Sequence, residues 1–296
     1  MRYKKNVLLK NYTTFKIGGR ARYFFVAKNK NDLISAINKA KELKLPFFLL
    51  GGGSNLLVSD KGFKGVVIKV QITNYKFQTN SKSQITNISA GAGLPLNKLV
   101  QLAAERGLTG LEWAAGIPGT VGGAVFGNAG WPSNKKNISS VIKWVEVLET
   151  KPKSKSRIKN YGLKDCKFVY RDSVFKHKPG LVILSVCLKL REGNIKKIKK
   201  EISEILEKRK GRTPVGFSAG SIFKNPPGKR AGELIEKCGL KGKKIGGAEI
   251  SKIHANFIVN LDGATAEDVK KLINLIKKEV RKKFKIILEE EIQKIY

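Results

Sequence analysis

Short apolar runs and one helical stripe dominate the first seventy positions. Arg22–Ala27 (RYFFVA), Phe47–Leu50 and Val66–Val70 are rich in aromatic and β-branched residues and predict strands. Between the first two, Asp32–Leu43 sets Leu33, Ile34, Ile37 and Ala40 at helical spacing, and Pro46 stops the helix. A second unit repeats the alternation. Ile85–Ala90 predicts a strand and Leu96–Arg106 a helix closed by Gly107. Residues 141–150 and 181–190 predict strands, and the charged stretch Lys151–Asn160 between them reads as a connecting loop. From residue 195 the rhythm turns mainly helical. Ile195–Lys210 carries Ile198, Ile202, Ile205 and Leu206 on one face, and Arg230–Cys238 is a helix capped by Gly239. Thr265-Ala-Glu-Asp268 is a capping-box-like start. The helix it opens has a core stripe of Val269, Leu272, Ile273, Ile276 and Val280. The pattern predicts an α+β protein in two domains, residues 1–194 and 195–296, the first made of lobes at about 1–70 and 71–194.

Two glycine-rich segments interrupt these elements. Gly51-Gly52-Gly53-Ser54-Asn55 follows a strand directly, where successive backbone N–H groups can cradle a phosphate. It is not a dinucleotide fingerprint of the GxGxxG kind, because Leu56-Leu57-Val58 and another strand follow instead of a helix. No GxxxxGK followed by Ser or Thr occurs in the chain. The second segment, Gly116–Gly130 (GIPGTVGGAVFGNAG), has six glycines in fifteen residues. Each glycine inside a regular element costs roughly 0.5–1 kcal/mol relative to alanine. Close approach of backbone to a ligand is the natural compensation. One such loop in each lobe suggests a large ligand with a diphosphate, held between them.

Composition narrows the classes. The formal net charge is +36, from 59 basic and 23 acidic residues. Such a balance raises nucleic-acid binding as a rival. The excess is mostly lysine, spread along the chain rather than gathered in a stripe, and the aromatics lie in apolar runs (Phe24-Phe25, Phe47-Phe48) instead of forming a stacking platform. No nucleic-acid partner is therefore expected, although a positive field would attract a diphosphate substrate. Cys166, Cys187 and Cys238 have no zinc or redox spacing, so free thiols in a reducing compartment are expected, with no metal. No run approaches the about 20 apolar residues of a membrane span, and the basic N-terminus lacks a signal-like apolar core. A cytoplasmic protein, without membrane contact and monomeric, is the expectation.

Asn11-Tyr-Thr-Thr-Phe-Lys-Ile-Gly-Gly19, Gly51-Gly-Gly-Ser-Asn55 and Gly116-Ile-Pro-Gly-Thr-Val-Gly-Gly123 resemble, in order, the flavin-contacting segments of the UDP-N-acetylenolpyruvoylglucosamine reductase family. The resemblance continues through Tyr170-Arg171-Asp172-Ser173-Val174-Phe175-Lys176, through Ser218-Ala-Gly-Ser221-Ile-Phe-Lys-Asn-Pro226, and into Leu288-Glu-Glu-Glu291-Ile292. It implies a two-lobed FAD-binding domain of the vanillyl-alcohol-oxidase (PCMH) type and a C-terminal α+β substrate domain. It implies FAD, with NADPH as hydride donor and UDP-N-acetylglucosamine enolpyruvate as substrate. The flavin is expected to be non-covalent, because neither glycine loop contains His or Cys and the only histidines are His177 and His254. No long insertion separates Ser173 from Ser221, so the chain resembles the shorter type of the family, without an extra substrate-closing loop. Arg212-Thr213-Pro214 stands where many members carry Gln-Pro.

The resemblance also implies roles. Ser221 matches the proton donor, and Arg171 and Glu291 match the groups that polarise and stabilise the enolate. Gly51, Gly52, Gly53, Ser54, Asn55, Gly116, Ile117, Pro118, Gly119, Thr120, Gly122 and Gly123 fall on the flavin segments; Tyr170, Lys224 and Asn225 fall on the substrate side. An Arg fork can grip a carboxylate while charge builds on it. A serine hydroxyl becomes a credible acid only against a strongly basic carbon with water excluded. Glu291 beside an enolate is expected to be protonated in turnover or to bond a proton-carrying partner. The glycine loops alone also admit a sugar or alcohol oxidase of the same fold; the segments around Arg171, Ser221 and Glu291 favour the reductase.

Overall fold

The computed structural model describes residues 3–79, 85–131, 136–150 and 156–296. The first lobe runs β1 (Lys4–Leu8), β2 (Arg20–Ala27), α1 (Lys30–Glu42), β3 (Phe47–Leu50), β4 (Leu56–Val58) and β5 (Phe63–Val70). Its four-stranded sheet has the order β1-β2-β5-β3, with β5 parallel to both β2 and β3. Asn29 starts α1 by accepting a hydrogen bond from the Asp32 N–H, and Leu33, Ala36, Ile37 and Ala40 bury the predicted face.

The second lobe begins with β6 (Tyr75–Thr79), β7 (Ile85–Gly91), α2 (Leu96–Glu105), β8 (Leu108–Thr109) and α3 (Val121–Phe126). It continues through β9 (Gly130–Trp131), β10 (Lys136–Asn137), β11 (Ile142–Glu149), β12 (Arg157–Tyr161), α4 (Leu163–Cys166), α5 (Val174–His177) and β13 (Leu181–Glu192). Its antiparallel sheet has the order β12-β11-β13-β7-β6, with β8 also on β13. Part of the stretch read as a loop is a strand. Residues 151–155 lie outside the described residues, but Arg157–Tyr161 pairs with β11 along its whole length. The strand escapes the apolar pattern because it is a sheet edge, with Arg157, Ile158, Lys159 and Asn160 all exposed. Charged edge strands carry no alternation to detect.

Helix α6 (Ile195–Arg209) was expected to open the C-terminal domain. It packs on α2 and β8 instead, and Ile205 joins the core beneath the second lobe. The C-terminal unit therefore begins with β14 (Phe217–Ser221), one helix after the expected boundary. It adds α7 (Ala231–Lys237), β15 (Lys244–Ile245), β16 (Ala248–Ile250), β17 (Phe257–Asn260), α8 (Ala266–Phe284) and β18 (Gln293–Ile295). The sheet order is β14-β17-β16-β15, covered by α8, whose five predicted core residues are fully buried. Thr265 and Asp268 form the expected capping box.

Three features fasten this unit to the first lobe. Phe15, Ile17 and Leu57 of the first lobe belong to the C-terminal core cluster. Strand β18 leaves its own domain and pairs, parallel, with β4. Asp60 also reaches across to the start of α8, where its carboxylate accepts from the N–H groups of Ala266 (2.9 Å) and Glu267 (3.3 Å).

Candidate active site

The two glycine loops meet face to face. A Cβ built on Gly52 would lie 2.6 Å from Cα of Gly119, and one on Gly119 would lie 2.8 Å from Oγ of Ser54. Gly53 has φ +69°, and a side chain there would collide with the Tyr12 carbonyl. The segment at Asn11–Gly19 closes the same corner, since the Thr14 N–H donates to the Gly53 carbonyl at 3.1 Å. Ser54 Oγ donates to the Pro118 carbonyl at 3.3 Å, and Thr120 caps α3 through the Gly123 N–H. Among the described residues, the N–H groups of Gly52, Gly53 and Ser54 donate to no protein acceptor. A backbone-lined corner with free donors and no room for side chains suits the diphosphate and flat ring of a flavin dinucleotide. Residues expected as flavin contacts are thus brought together from three segments.

Arg171 is presented by a tight turn beside the second glycine loop. Val169 and Asp172 exchange backbone hydrogen bonds at 3.2 Å, and Arg171 occupies the left-handed region at φ +55°. The Asn128 amide donates to the Val169 carbonyl at 2.8 Å, and Arg171 Nη2 donates to the Gly130 carbonyl at 2.7 Å. The end of Gly116–Gly130 therefore supports the arginine directly. The guanidinium also lies 5.5 Å from the centre of the exposed Tyr170 ring.

Ser221 and Glu291 come from opposite ends of the C-terminal domain and are joined by backbone pairing. The N–H of Glu291 donates to the Ile222 carbonyl at 2.8 Å, that of Lys224 donates to Glu289, and Phe223 bridges Glu290. Buried Asn256 locks this arrangement: its Oδ1 accepts from the Phe223 N–H and its Nδ2 donates to the Phe223 carbonyl. Gly220, at φ +77°, turns the chain just before Ser221 and lies near the carbonyl of Ser54. The Ser221 side chain donates to no protein group among the described residues. Two bonds tie this region to the flavin corner. Asn55 Nδ2 donates to the Glu291 carbonyl at 3.1 Å, and Thr14 Oγ1 to the Ser218 carbonyl at 2.7 Å.

The three consecutive glutamates take three different partners. Glu289 pairs with Lys224 at 2.5 Å, Glu290 with Lys277 and Lys294, and Glu291 with Nε of Arg171 at 3.1 Å. The Arg171–Glu291 contact is an ion pair without hydrogen-bond alignment, and Arg171 Nε has no hydrogen-bond acceptor among the described residues. Both side chains are largely enclosed, at 15% and 20% exposure. Burial pushes the Glu291 carboxyl above the usual carboxylate range, opposed by the nearby charges of Arg171, Lys176 and Lys224. That direction agrees with a carboxyl that holds a proton.

On the substrate side, the Asn225 N–H donates to the Tyr170 hydroxyl at 3.4 Å, closing the edge between the domains. Asn225 Oδ1 accepts from the Ala231 N–H at 3.0 Å and so starts α7; its amide nitrogen is the part left for a ligand. Two further cations, not marked as site residues by any sequence pattern, stand beside Arg171. Lys176 donates to the Arg171 carbonyl at 2.7 Å. Arg209 lies 4.1 Å from the centre of the Trp131 ring and against Gly116, its pKa lowered by burial and by Arg171. Both signals were present in the sequence, as Lys176 within the Tyr170–Lys176 motif and Arg209 at the end of a helix, but neither announces a direction.

Residues 213–295 match the family model described as the UDP-N-acetylenolpyruvoylglucosamine reductase C-terminal domain, and residues 21–152 match an FAD-binding domain. A UDP-N-acetylenolpyruvoylglucosamine reductase of Caldicellulosiruptor bescii is 42% identical over 294 residues, covering 98% of this chain and 90% of the relative. The chain belongs to the UDP-N-acetylenolpyruvoylglucosamine reductase family. A reductase of Prochlorococcus marinus is 40% identical, with 99% and 98% of the two chains covered. The crystal structure of the reductase from Thermus caldophilus superposes with a TM-score of 0.82 at 37% identity, over 100% of both chains. The full-length match accords with the shorter reductase type, and the match to an FAD-binding domain falls on the lobes that carry the glycine corner.

Proposed function

We propose that the protein uses NADPH and bound FAD to reduce UDP-N-acetylglucosamine enolpyruvate to UDP-N-acetylmuramate, for cell-wall peptidoglycan. The observation that carries this reading is the link from Asn55 through Glu291 to Arg171. It joins the flavin corner to a carboxyl and a guanidinium from different domains. Held against the backbone of Gly51–Asn55 and Gly116–Gly123, FAD would supply the hydride chemistry between NADPH and the enolpyruvyl group. The chain's residues do the rest. Arg171 holds the substrate carboxylate and stabilises the charge that develops as it becomes an enolate. Glu291, whose burial favours the neutral carboxyl over the charged one, adds a hydrogen-bond donor to the same charge when it carries its proton. Ser221 Oγ, with no protein acceptor of its own, gives its proton to the enolate carbon. Lys224, Tyr170 and the Asn225 amide bind the nucleotide sugar at the domain edge, and the surrounding cations favour its diphosphate. The same reading has the protein act as a cytoplasmic monomer without nucleic-acid or membrane contact.

The test is NADPH oxidation by the purified yellow protein under low oxygen. Oxidation that depends on UDP-N-acetylglucosamine enolpyruvate is the expected result. Oxygen-driven turnover of a sugar or alcohol, without response to that substrate, would replace the reading with an oxidase.

A further inference from the structure

Lys176 is a cation at this site to which the proposed reaction gives no task. It lies on α5, whose Val174 and Phe175 are buried and whose preceding Ser173 donates through its hydroxyl to the Phe126 carbonyl at 2.7 Å. The side chain turns back from this fixed base, and its ammonium donates to the backbone carbonyl of Arg171 at 2.7 Å. Around it stand Asp172, Glu289 and Glu291 on the acidic side and Lys224 and Arg171 on the basic side. None of these carboxylates is within ion-pair distance of Lys176. Asp172 is taken up by His177 and the Ser173 N–H, Glu289 by Lys224, and Glu291 by Arg171. A half-buried lysine directed at a main-chain carbonyl, with acids close by, fixes backbone more than it balances charge.

That carbonyl belongs to the residue with the least comfortable backbone of the site. Arg171 has φ +55°, where the Cβ of an L residue crowds the following carbonyl. Such a conformation persists only where its surroundings over-determine it. Most of the tethers act on neighbours or on the side chain: the Val169–Asp172 pair, Asn128 on the Val169 carbonyl, and Arg171 Nη2 on Gly130. The bond from Lys176 acts on the peptide of the left-handed residue itself.

We propose that Lys176 is a positioning residue, its ammonium clamping the Arg171 carbonyl so that the left-handed turn aims the guanidinium at Glu291 and the substrate carboxylate. The inference rests on the roles proposed above for Arg171 and Glu291.

The test compares Lys176→Met, which keeps the length but loses donor and charge, with Lys176→Arg, which keeps both. The Met enzyme is expected to lose about tenfold or more in kcat at unchanged KM for the enolpyruvyl nucleotide. Flavin reduction by NADPH, measured alone, stays at the parent rate. Removing the cation also lets the Glu291 carboxyl titrate higher, so the pH profile of kcat moves to higher pH in the Met enzyme only. The Arg enzyme recovers most of the loss. A Met enzyme with parental kcat and pH profile overturns the proposal, as does one in which both half-reactions slow equally. If the Met protein does not fold, Lys176→Leu, which also lacks donor and charge, takes its place and is judged by the same outcomes. Arg171→Ala separates the two layers. If it turns over like the parent, the reading of the site fails; if it is inactive while Lys176→Met is unaffected, only the clamp fails.

Discussion

Nε of Arg171 lies 3.1 Å from Oε1 of Glu291, an ion pair between a turn of the FAD-binding domain and the segment that precedes the last strand of the other domain. The carboxyl is raised in pKa even though a guanidinium touches it, so burial outweighs the attraction. This fixes the sign of a pH effect. The native state holds the Glu291 proton to higher pH than the unfolded chain, whose carboxyl titrates near 4.5. Below that value both states are protonated and the difference vanishes. As pH rises from there through the folded pKa, the parent loses stability relative to a protein without the group. Glu291→Gln should abolish that decline. Thermal unfolding midpoints of the two proteins across pH, with FAD present, check it; parallel curves would contradict the assignment. Turnover of the Gln enzyme should fall by about 10²-fold or more.

Ser221→Ala should separate the two halves of the reaction. Reduction of the flavin by NADPH should proceed at the parent rate. Its reoxidation by UDP-N-acetylglucosamine enolpyruvate should slow by about 10²–10⁴-fold, the range for loss of a positioned acid. Stopped-flow absorbance of the flavin in each half-reaction decides it.

Gly53→Ala addresses the flavin corner. A methyl group there meets the Tyr12 carbonyl at 2.0 Å in a left-handed backbone, so the loop must move away from Tyr12 and Thr13. The variant should purify with little or no flavin absorbance while keeping its far-ultraviolet circular dichroism. A normally yellow Gly53→Ala protein would remove the corner from the cofactor site.

Asp60→Ala removes the cap that the first lobe places on α8. Two N–H groups lose their acceptor, although Thr265 still serves Asp268. The loss should be about 0.5–2 kcal/mol, the usual range for a helix cap. Urea unfolding of parent and variant measures it, with kcat expected to change little, because among the described residues the Asp60 side chain bonds only to the start of α8.

Much of this molecule is legible in its sequence because the relevant signals are local. The stripe Val269, Leu272, Ile273, Ile276 and Val280 names the buried face of α8, and Phe47–Leu50 gives β3 to the residue, because burial imposes its period on the residues. Two elements escaped for opposite reasons. The edge strand Arg157–Tyr161 buries too little to show a period, whereas α6 shows a clear stripe that does not say which domain it covers. The site divides in the same way. Motifs bring Arg171, Ser221 and Glu291 to notice, but their meeting depends on long-range pairing such as Glu291 with Ile222, which no local pattern encodes. Lys176 was overlooked because its bond is to a main-chain carbonyl, a partner without a residue type.

The exchange of β18 onto β4 also sets an order of events in the cell. Ile295 shares a small core with Leu9, Phe24, Leu56 and Val58 of the first lobe. A ribosome makes that lobe early and releases β18 only after the whole C-terminal domain has been made. Throughout that interval β4 is without its β18 partner and the small core is without Ile295. Asn55 meanwhile waits for Glu291. The completed pocket is thus assembled last, once the final strand is free to pair.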